Sequence, residues 1–390
     1  MKKYIILIAS LLMMLSLGIY LAWSTFVPVL KQSFGISIAQ TQTIFGTYVL
    51  TVTVFILVGS HLEIRIGPRI TSFIGGIIFG TSYILAGYSD GSYSSLLVII
   101  GICAPLGAGL CYMSPVSCVT KWFPQYKSMV IGTVVAGYGA SAIIVSRLGE
   151  YLLARQVGVL TIFKYLGVGA LLIVTTASLF LQNPPVEKDP PAGKFFMKVT
   201  AVLKDRIFWG LFCGFFPGSC VGLMSIGNIK PLGLSLDLNP VAAGAAVTVI
   251  SLFNTSGRVA WGLIGSLIAG KKAILISLIS TSIVCLAVPF AITGNITFQI
   301  FAIIAGFNYA ACLVLYAAEI ARVYGAEKMG VIYSILMLSN GLAGFIAPPL
   351  AGKLFDVTGT YTPAFLIFGT VAFISTFCFY FIYQPDRPKP

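Results

Sequence analysis

The stretch Val249-Ile250-Ser251-Leu252-Phe253-Asn254-Thr255-Ser256-Gly257-Arg258-Val259-Ala260-Trp261-Gly262 sets one arginine far from either end of a hydrophobic run that extends from about Val241 to Ala269. At ~1.5 Å rise per residue, a helix of that length crosses the ~30 Å hydrocarbon core of a bilayer. Arg258 therefore belongs at membrane depth. An unpaired guanidinium there costs between about 3 and about 10 kcal/mol, so the side chain must face a polar cavity or a partner. Ser251, Asn254, Thr255 and Arg258 fall at i, i+3, i+4 and i+7, which puts them on one face of the helix as a polar stripe.

Outward from this stretch, the same reading repeats. Of the 390 residues, 58% are hydrophobic and 9% charged, and the mean hydropathy is +0.98, a balance foreign to soluble globular domains. Twelve apolar spans follow along the chain. They run roughly Tyr4 to Val29, Thr41 to Ser60, Ile70 to Tyr88, Ser94 to Ser117, Met129 to Tyr151, Val159 to Leu181, Ile207 to Asn228, Asn239 to Ile268, Ala273 to Ile292, Phe298 to Ala318, Met329 to Gly352 and Pro363 to Tyr383. An even number places both termini on one side. With the N-terminus inside, 17 of the 24 basic residues are cytoplasmic, Lys31, Arg147, Arg155, Lys164, Lys230 and Lys353 lie near the outer face, and Arg258 lies within a span. The positive-inside rule thus predicts a cell (inner or plasma) membrane protein with cytoplasmic termini, and the net charge of +13 needs no nucleic acid to explain it.

The longest hydrophilic stretch, Gln182 to Arg206, carries Asn183-Pro184-Pro185 and Asp189-Pro190-Pro191 and divides the spans six and six. It predicts an N-terminal six-helix bundle over 1–181, a cytoplasmic linker over 182–206 with Phe195-Phe196-Met197 lying on the membrane surface, and a C-terminal six-helix bundle over 207–390. The first span is too long for a signal-peptide core and is expected to be retained. All eight cysteines fall in apolar spans without a Cys-x-x-Cys pair, and His61 is the lone histidine, so metal or redox chemistry is not expected. No Walker-type loop suggests a nucleotide, and no cofactor is predicted. Paired carboxylates and a nucleophile with its base are likewise missing from the spans, which argues against an enzyme.

Six plus six spans about a basic loop resemble the major facilitator superfamily, whose halves are internal repeats. An offset of ~200 residues pairs Tyr138 with Asn340. More narrowly, the chain resembles the oxalate-formate antiporter and monocarboxylate transporter family. The matching residues are Tyr112-x-x-Pro115-Val116, Lys121-Trp122-Phe123-Pro124, Ala136-Gly137-Tyr138-Gly139, Gly257-Arg258-x-x-Trp261-Gly262, Gly306-Phe307-x-Tyr309, Ala321-Arg322-Val323-Tyr324-Gly325 and Ala351-Gly352-x-Leu354-Phe355-Asp356-x-Thr358-Gly359-x-Tyr361. Departures are equally informative. The loop from Gly59 to Arg69 has its acid displaced to Glu63, and Ser266 stands where the second half would carry one. Where oxalate exchangers of this family have a lysine in the eleventh helix this chain has Asn340, and where animal monocarboxylate transporters have an aspartate it has Asn254.

The residues carry a reading of their own. All 11 acidic residues lie in loops or near span ends, so none is placed to neutralise Arg258, and the missing partner is most simply an anion from solution. A guanidinium suits a carboxylate because its planar fork donates two parallel charge-assisted bonds. One fixed positive charge matches one negative charge, which favours a small monocarboxylate such as lactate, pyruvate or formate. Tyr20, Tyr112, Tyr138, Tyr309 and Asn340, on helices that the resemblance places around a central cavity, are candidates to complete the site, with Asn254 beside Arg258 and Phe307 as apolar wall. Trp23 reads as a packing residue and the glycines from Gly132 to Gly139 as close helix contacts. The expectation is an all-α membrane protein with twelve transmembrane helices, a major facilitator fold that carries a small carboxylate anion, with a proton or a counter-transported anion as the open second partner. The alternatives are an oxalate or other dicarboxylate exchanger, or a carboxylate receptor that does not transport.

Overall fold

In a computed structural model, residues 2–184 and 202–384 are described, the side chains of 127–128 and 326–331 excepted. Among them are twelve helices long and apolar enough to cross a membrane. We number them α1 (Lys2–Phe34), α2 (Ile38–Ile66), α3 (Pro68–Tyr88), α4 (Tyr93–Trp122), α5 (Lys127–Ala154), α6 (Val159–Ser178), α7 (Arg206–Ser235), α8 (Pro240–Leu267), α9 (Gly270–Ala291), α10 (Asn295–Tyr324), α11 (Ala326–Thr358) and α12 (Thr362–Ile382). The chain divides into two compact units, Met1–Ala192 and Gly193–Pro390. Phe195-Phe196-Met197 and most of the expected linker lie outside the described residues.

Several helices run past the limits that hydropathy predicts. The second span, expected over Thr41 to Ser60, is helical over Ile38–Ile66. Hydropathy marks the length that suits lipid, whereas backbone hydrogen bonding continues until a cap stops it. Ser37 starts α2 with a capping box, its hydroxyl accepting the Gln40 N–H at 3.2 Å while the Gln40 side chain accepts the Ser37 N–H at 2.9 Å. Gly67 ends it at φ +85°, where a side chain would be strained. Asn239 caps α8 by accepting the Val241 N–H at 2.8 Å, and Asp205 caps α7 by accepting the Ile207 N–H at 3.0 Å.

Proline does not end the helices that contain it. Helix continues through Pro28, Pro115, Pro217, Pro231, Pro289, Pro348 and Pro349. The backbone departs from α geometry in two other places. Leu97–Cys103 in α4 is π-helical just ahead of Pro105, whose missing N–H leaves an upstream carbonyl to be accommodated. Gly18–Ala22 in α1 is a 3₁₀ stretch without proline. There a Cβ on Gly18 would sit 2.1 Å from the Tyr138 carbonyl oxygen, so α1 and α5 touch backbone to backbone.

Within lipid, helices gain little from burying apolar surface and associate through close van der Waals contact, which small residues permit. In the first unit α3 lies on α6 along such a seam. A Cβ added to Gly76 would come within 2.7 Å of Val174, and one on Gly80 within 2.5 Å of Leu171. Gly137 packs on Leu11 as expected, but Gly132 meets nothing within 4 Å and is not a packing glycine within this unit. In the second unit Phe208, Leu211 and Phe215 of α7 pack with Leu278, Tyr316 and Phe379. Many large apolar side chains, among them Leu172, Val259, Leu267, Phe290 and Phe381, remain exposed, as lipid-facing positions require.

At one end of the second unit α9, α10 and α12 are tied by a carboxylate. Glu319 accepts from Arg322 Nε at 3.1 Å and from a terminal guanidinium nitrogen at 2.8 Å, and the Tyr383 hydroxyl donates to it as well. Gly270 closes over it, for a Cβ there would lie 2.1 Å from Oε2. The Glu319 side chain is 3% exposed and that of Arg322 51%. Removing the arginine strands a buried carboxylate, whereas neutralising the acid leaves a cation that water can reach. Arg322→Ala should therefore lower the unfolding free energy in detergent more than Glu319→Gln, by about 2 kcal/mol, less than a fully buried pair because half the guanidinium is hydrated. Adding Glu319→Gln to Arg322→Ala should recover most of the loss, and a double variant no more stable than Arg322→Ala would show that no charge was stranded.

Candidate functional site

Arg258 lies well inside α8, partly buried, with its Nε enclosed and bonded to nothing. No ion pair among the described residues engages it. The stripe expected around it divides in two. The Ser251 hydroxyl donates to the Val247 carbonyl at 2.8 Å and that of Thr255 to the Ser251 carbonyl at 2.9 Å, so both are spent on their own helix. Asn254 is 2% exposed and its Oδ1 is buried without a hydrogen bond. The stripe thus reduces to an amide and a guanidinium one turn apart, both unpartnered.

Close packing against α10 holds this part of α8. A Cβ on Gly306 would reach the Ile250 carbonyl oxygen at 2.2 Å, and one on Gly257 would lie 3.0 Å from Ala310 and 3.2 Å from Phe307. One turn beyond Gly257, the Trp261 indole donates to the Phe307 carbonyl at 2.9 Å and its ring lies 5.2 Å from the Phe307 ring. Phe307 therefore packs against the turns of α8 that carry Gly257 and Trp261. The signal that brings them together is the pair of small residues Gly257 and Gly306.

Tyr309 faces away from that contact. Its hydroxyl donates to Asn340 Oδ1 on α11 at 3.2 Å, and its ring lies on Gly222 of α7, where a Cβ would meet it at 2.2 Å. Beside it is a narrow recess bordered by Gly218, Gly222, Thr281, Asn308 and Tyr309. Asn308 donates to Ser280 Oγ at 3.0 Å. Tyr309 and Asn340 thus form a pair that spans α10 and α11, joined by hydrogen bonding rather than set apart as independent ligands.

In the first unit the structure brings Tyr20, Tyr112 and Tyr138 into one aromatic cluster. The Tyr138 ring lies 5.8 Å from Tyr20 and 5.2 Å from Tyr112, the latter edge to face. Tyr48 of α2 completes it, stacked on Tyr20 at 4.5 Å, its hydroxyl buried without a hydrogen bond. Sequence reading passes over Tyr48 because an uncharged ring in an apolar span carries no signal until its neighbours are known. Trp23 is a packing residue, its indole donating to the Thr41 carbonyl at 3.0 Å beneath the Phe163 ring. His61 is exposed and Glu63 buried.

A further cation escaped the sequence reading. Lys230, expected merely near the outer face, is 8% exposed in α7 and takes part in a polar contact there. Partly buried Arg258 is thus accompanied in the second unit by a lysine that is more fully buried. Near it in sequence, the Tyr361 hydroxyl donates to Asn228 Oδ1 at 3.1 Å, and the Asn228 amide donates to the Met224 carbonyl at 3.0 Å. The cysteines fill packing positions; Cys111 donates to the Ser72 carbonyl at 3.2 Å and Cys285 to that of Phe365 at 3.3 Å.

Comparison with known proteins follows the same lines. The chain is 26% identical over 346 residues to the uncharacterized MFS-type transporter YhjX of Escherichia coli, covering 87% of this chain and 85% of that one. It is 24% identical over 390 residues to the oxalate:formate antiporter of Oxalobacter formigenes, covering 96% and 90%. It is 25% identical over 327 residues to monocarboxylate transporter 13 of Rattus norvegicus, covering 80% and 72%. Among solved structures, a bacterial homolog of the human lysosomal transporter Spinster, inward-facing and unoccupied, superposes with a TM-score of 0.80 at 15% identity over 100% of this chain and 99% of that one. At that identity the likeness concerns the fold. The sequence profile of the Major Facilitator Superfamily matches residues 7–229 and 218–390, and this protein belongs to that superfamily.

Proposed function

We propose that the protein is a secondary transporter that carries a small monocarboxylate of the lactate, pyruvate or formate type across the cell membrane by alternating access. In this reading the termini are cytoplasmic and residues 182–206 link six-helix bundles over 1–181 and 207–390. The observation that carries it is the Arg258 guanidinium, held in a helix long and apolar enough to span a membrane, with a buried Nε that no group among the described residues engages. A group so costly to bury is retained where an anion supplies what the protein withholds. The relatives named an oxalate:formate antiporter and a monocarboxylate transporter support an organic anion of this class. Tyr20, Tyr112, Tyr138, Tyr309, Asn340, Asn254 and Phe307 are proposed to complete the substrate path. Asn340, bonded to Tyr309, adds polarity without a second charge, which favours monoanions over dianions.

Uptake of labelled acids into proteoliposomes tests this directly. Arg258→Gln should fold at least as stably as the wild type, because a desolvation cost is removed, yet lose monocarboxylate uptake by a factor of about 100 or more. Arg258→Lys keeps the charge but not the fork and should recover little of it. Uptake by Arg258→Gln at the wild-type rate would defeat the proposal. Oxalate carried in preference to lactate would instead turn attention to Lys230 as a second cation, and binding without uptake would indicate a receptor.

Seating of the Tyr309 ring gives an independent expectation. Gly222→Ala inserts a methyl 2.2 Å from that ring, which must shift and release Asn340 at an overpacking cost of about 1–3 kcal/mol. Uptake should fall about tenfold while the purified amount of protein stays near normal. An unchanged rate would remove the Tyr309–Asn340 pair from the transport path.

Proton coupling is the third expectation. Asn254 cannot titrate, so anion affinity at fixed anion concentration should stay nearly flat from about pH 5.5 to 7.5. Asn254→Asp places a titratable carboxylate one turn from Arg258 and should introduce a pH dependence. A tenfold change in wild-type affinity across that window would direct the search to Glu63 and Glu319, the buried acids at helix ends.

A further inference from the structure

The seam between α3 and α6 in the first unit carries a cation at one end. The two helices run antiparallel along it, with Gly76 against Val174, Gly80 against Leu171 and Gly87 against Lys164. A Cβ on Gly87 would lie 2.5 Å from the lysine Cβ and 2.9 Å from its backbone nitrogen, so the stem of Lys164 is seated on the glycine. One residue on, α3 ends at Tyr88, and the Lys164 ammonium stands 4.1 Å from the centroid of that ring. Among the described residues no carboxylate pairs with it. Asp90, the nearest acid along the chain, accepts instead from the Ser92 N–H at 3.0 Å and from its hydroxyl at 2.9 Å.

Lys164 is five residues into α6, about 7 Å of rise below the helix start at Val159. Helical side chains tilt toward the N-terminus, so the ammonium is aimed back at that end, where the exposed rings of Tyr88 and Tyr165 mark a membrane interface. Beneath it, one and two turns along α6, Val168 and Leu172 are exposed, as is Leu85 one turn below Tyr88 on α3. A cation at the interface thus tops an apolar stripe. The ring covers one side of the ammonium, and its remaining N–H donors require acceptors.

We propose that Lys164 and Tyr88 form a headgroup site for an anionic phospholipid, whose phosphate accepts from the Lys164 ammonium and the Tyr88 hydroxyl while an acyl chain lies along Val168 and Leu172. The charge and the stripe call for different parts of one molecule, an anion above a hydrocarbon chain. A zwitterionic lipid offers the same chain and phosphate, but its own ammonium competes with the lysine. The site is remote in chemistry from the anion path and stands whether or not Arg258 binds a carboxylate.

Photolabelling reads this site separately from the other basic residues. Full-length protein is reconstituted in phosphatidylcholine bilayers doped with a phosphatidylglycerol that carries a diazirine near its headgroup, or with the phosphatidylcholine of the same chains and diazirine. After illumination, labelling of peptides covering 85–88 and 164–172 is quantified against peptides of α12. The glycerol probe should label them about fivefold more than the choline probe, the factor that one interfacial cation is worth toward an anionic lipid. Lys164→Gln should bring labelling down to the choline level, whereas Lys164→Arg, which keeps the charge, should retain it. Tyr88→Leu removes the ring from under the ammonium and should lower labelling about twofold, which keeps the test open if Lys164→Gln does not purify. Equal labelling by the two probes in the wild type, labelling undiminished in Lys164→Gln or Tyr88→Leu, or its loss in Lys164→Arg would each overturn the assignment. Displacement of the probe by an equimolar amount of inorganic phosphate would show that the free ion suffices, and would overturn it too.

Discussion

A guanidinium at membrane depth is the constraint on which the second unit depends. Its charge cannot be relieved by the hydrocarbon, and among the described residues no acid pairs with it; Glu319 is committed to Arg322 and Tyr383 near the end of α10. α8 can carry such a residue because the helix is fixed by something other than polar bonds. Its contact with α10 is made by Gly257 and Gly306, which bring backbones together so closely that neither position admits a Cβ without displacement. Dispersion over that contact, with the Trp261 indole bonded to the Phe307 carbonyl, holds the turn that bears Arg258 while its polar end stays uncommitted.

The same separation of scaffold from polar groups recurs in the first unit. The α3–α6 seam is built from Gly76, Gly80 and Gly167, and its energetics are those of close packing. Polar variety concentrates instead around the 3₁₀ stretch Gly18–Ala22, where Tyr20 stacks on Tyr48 and approaches Tyr138. Aromatic rings supply rigid walls at small entropic cost and end in hydroxyls that seek partners when buried. A 3₁₀ turn within a long helix is a place where geometry is under local strain, and here it coincides with the contact between α1 and α5.

Much of this was legible in the chain. The twelve spans and the all-helical fold follow from hydropathy, which a bilayer reads almost directly. Helix limits were not legible to the same degree, because caps such as Ser37 with Gln40 extend α2 beyond its apolar run. Nor was Lys230, whose burial depends on the helices packed around α7 rather than on its place near the end of a span.

By itself, then, the sequence determined the membrane fold, because transfer free energies act residue by residue and sum along the chain. Tertiary structure alone decided which polar groups are already satisfied. Tyr309 and Asn340, 31 positions apart, use their polarity on each other. Asn254 and Arg258, both within one helix, are left with none. Hydrogen bonding is directional and short in range, so its pairing is fixed only when helices distant in sequence come within about 3 Å of one another.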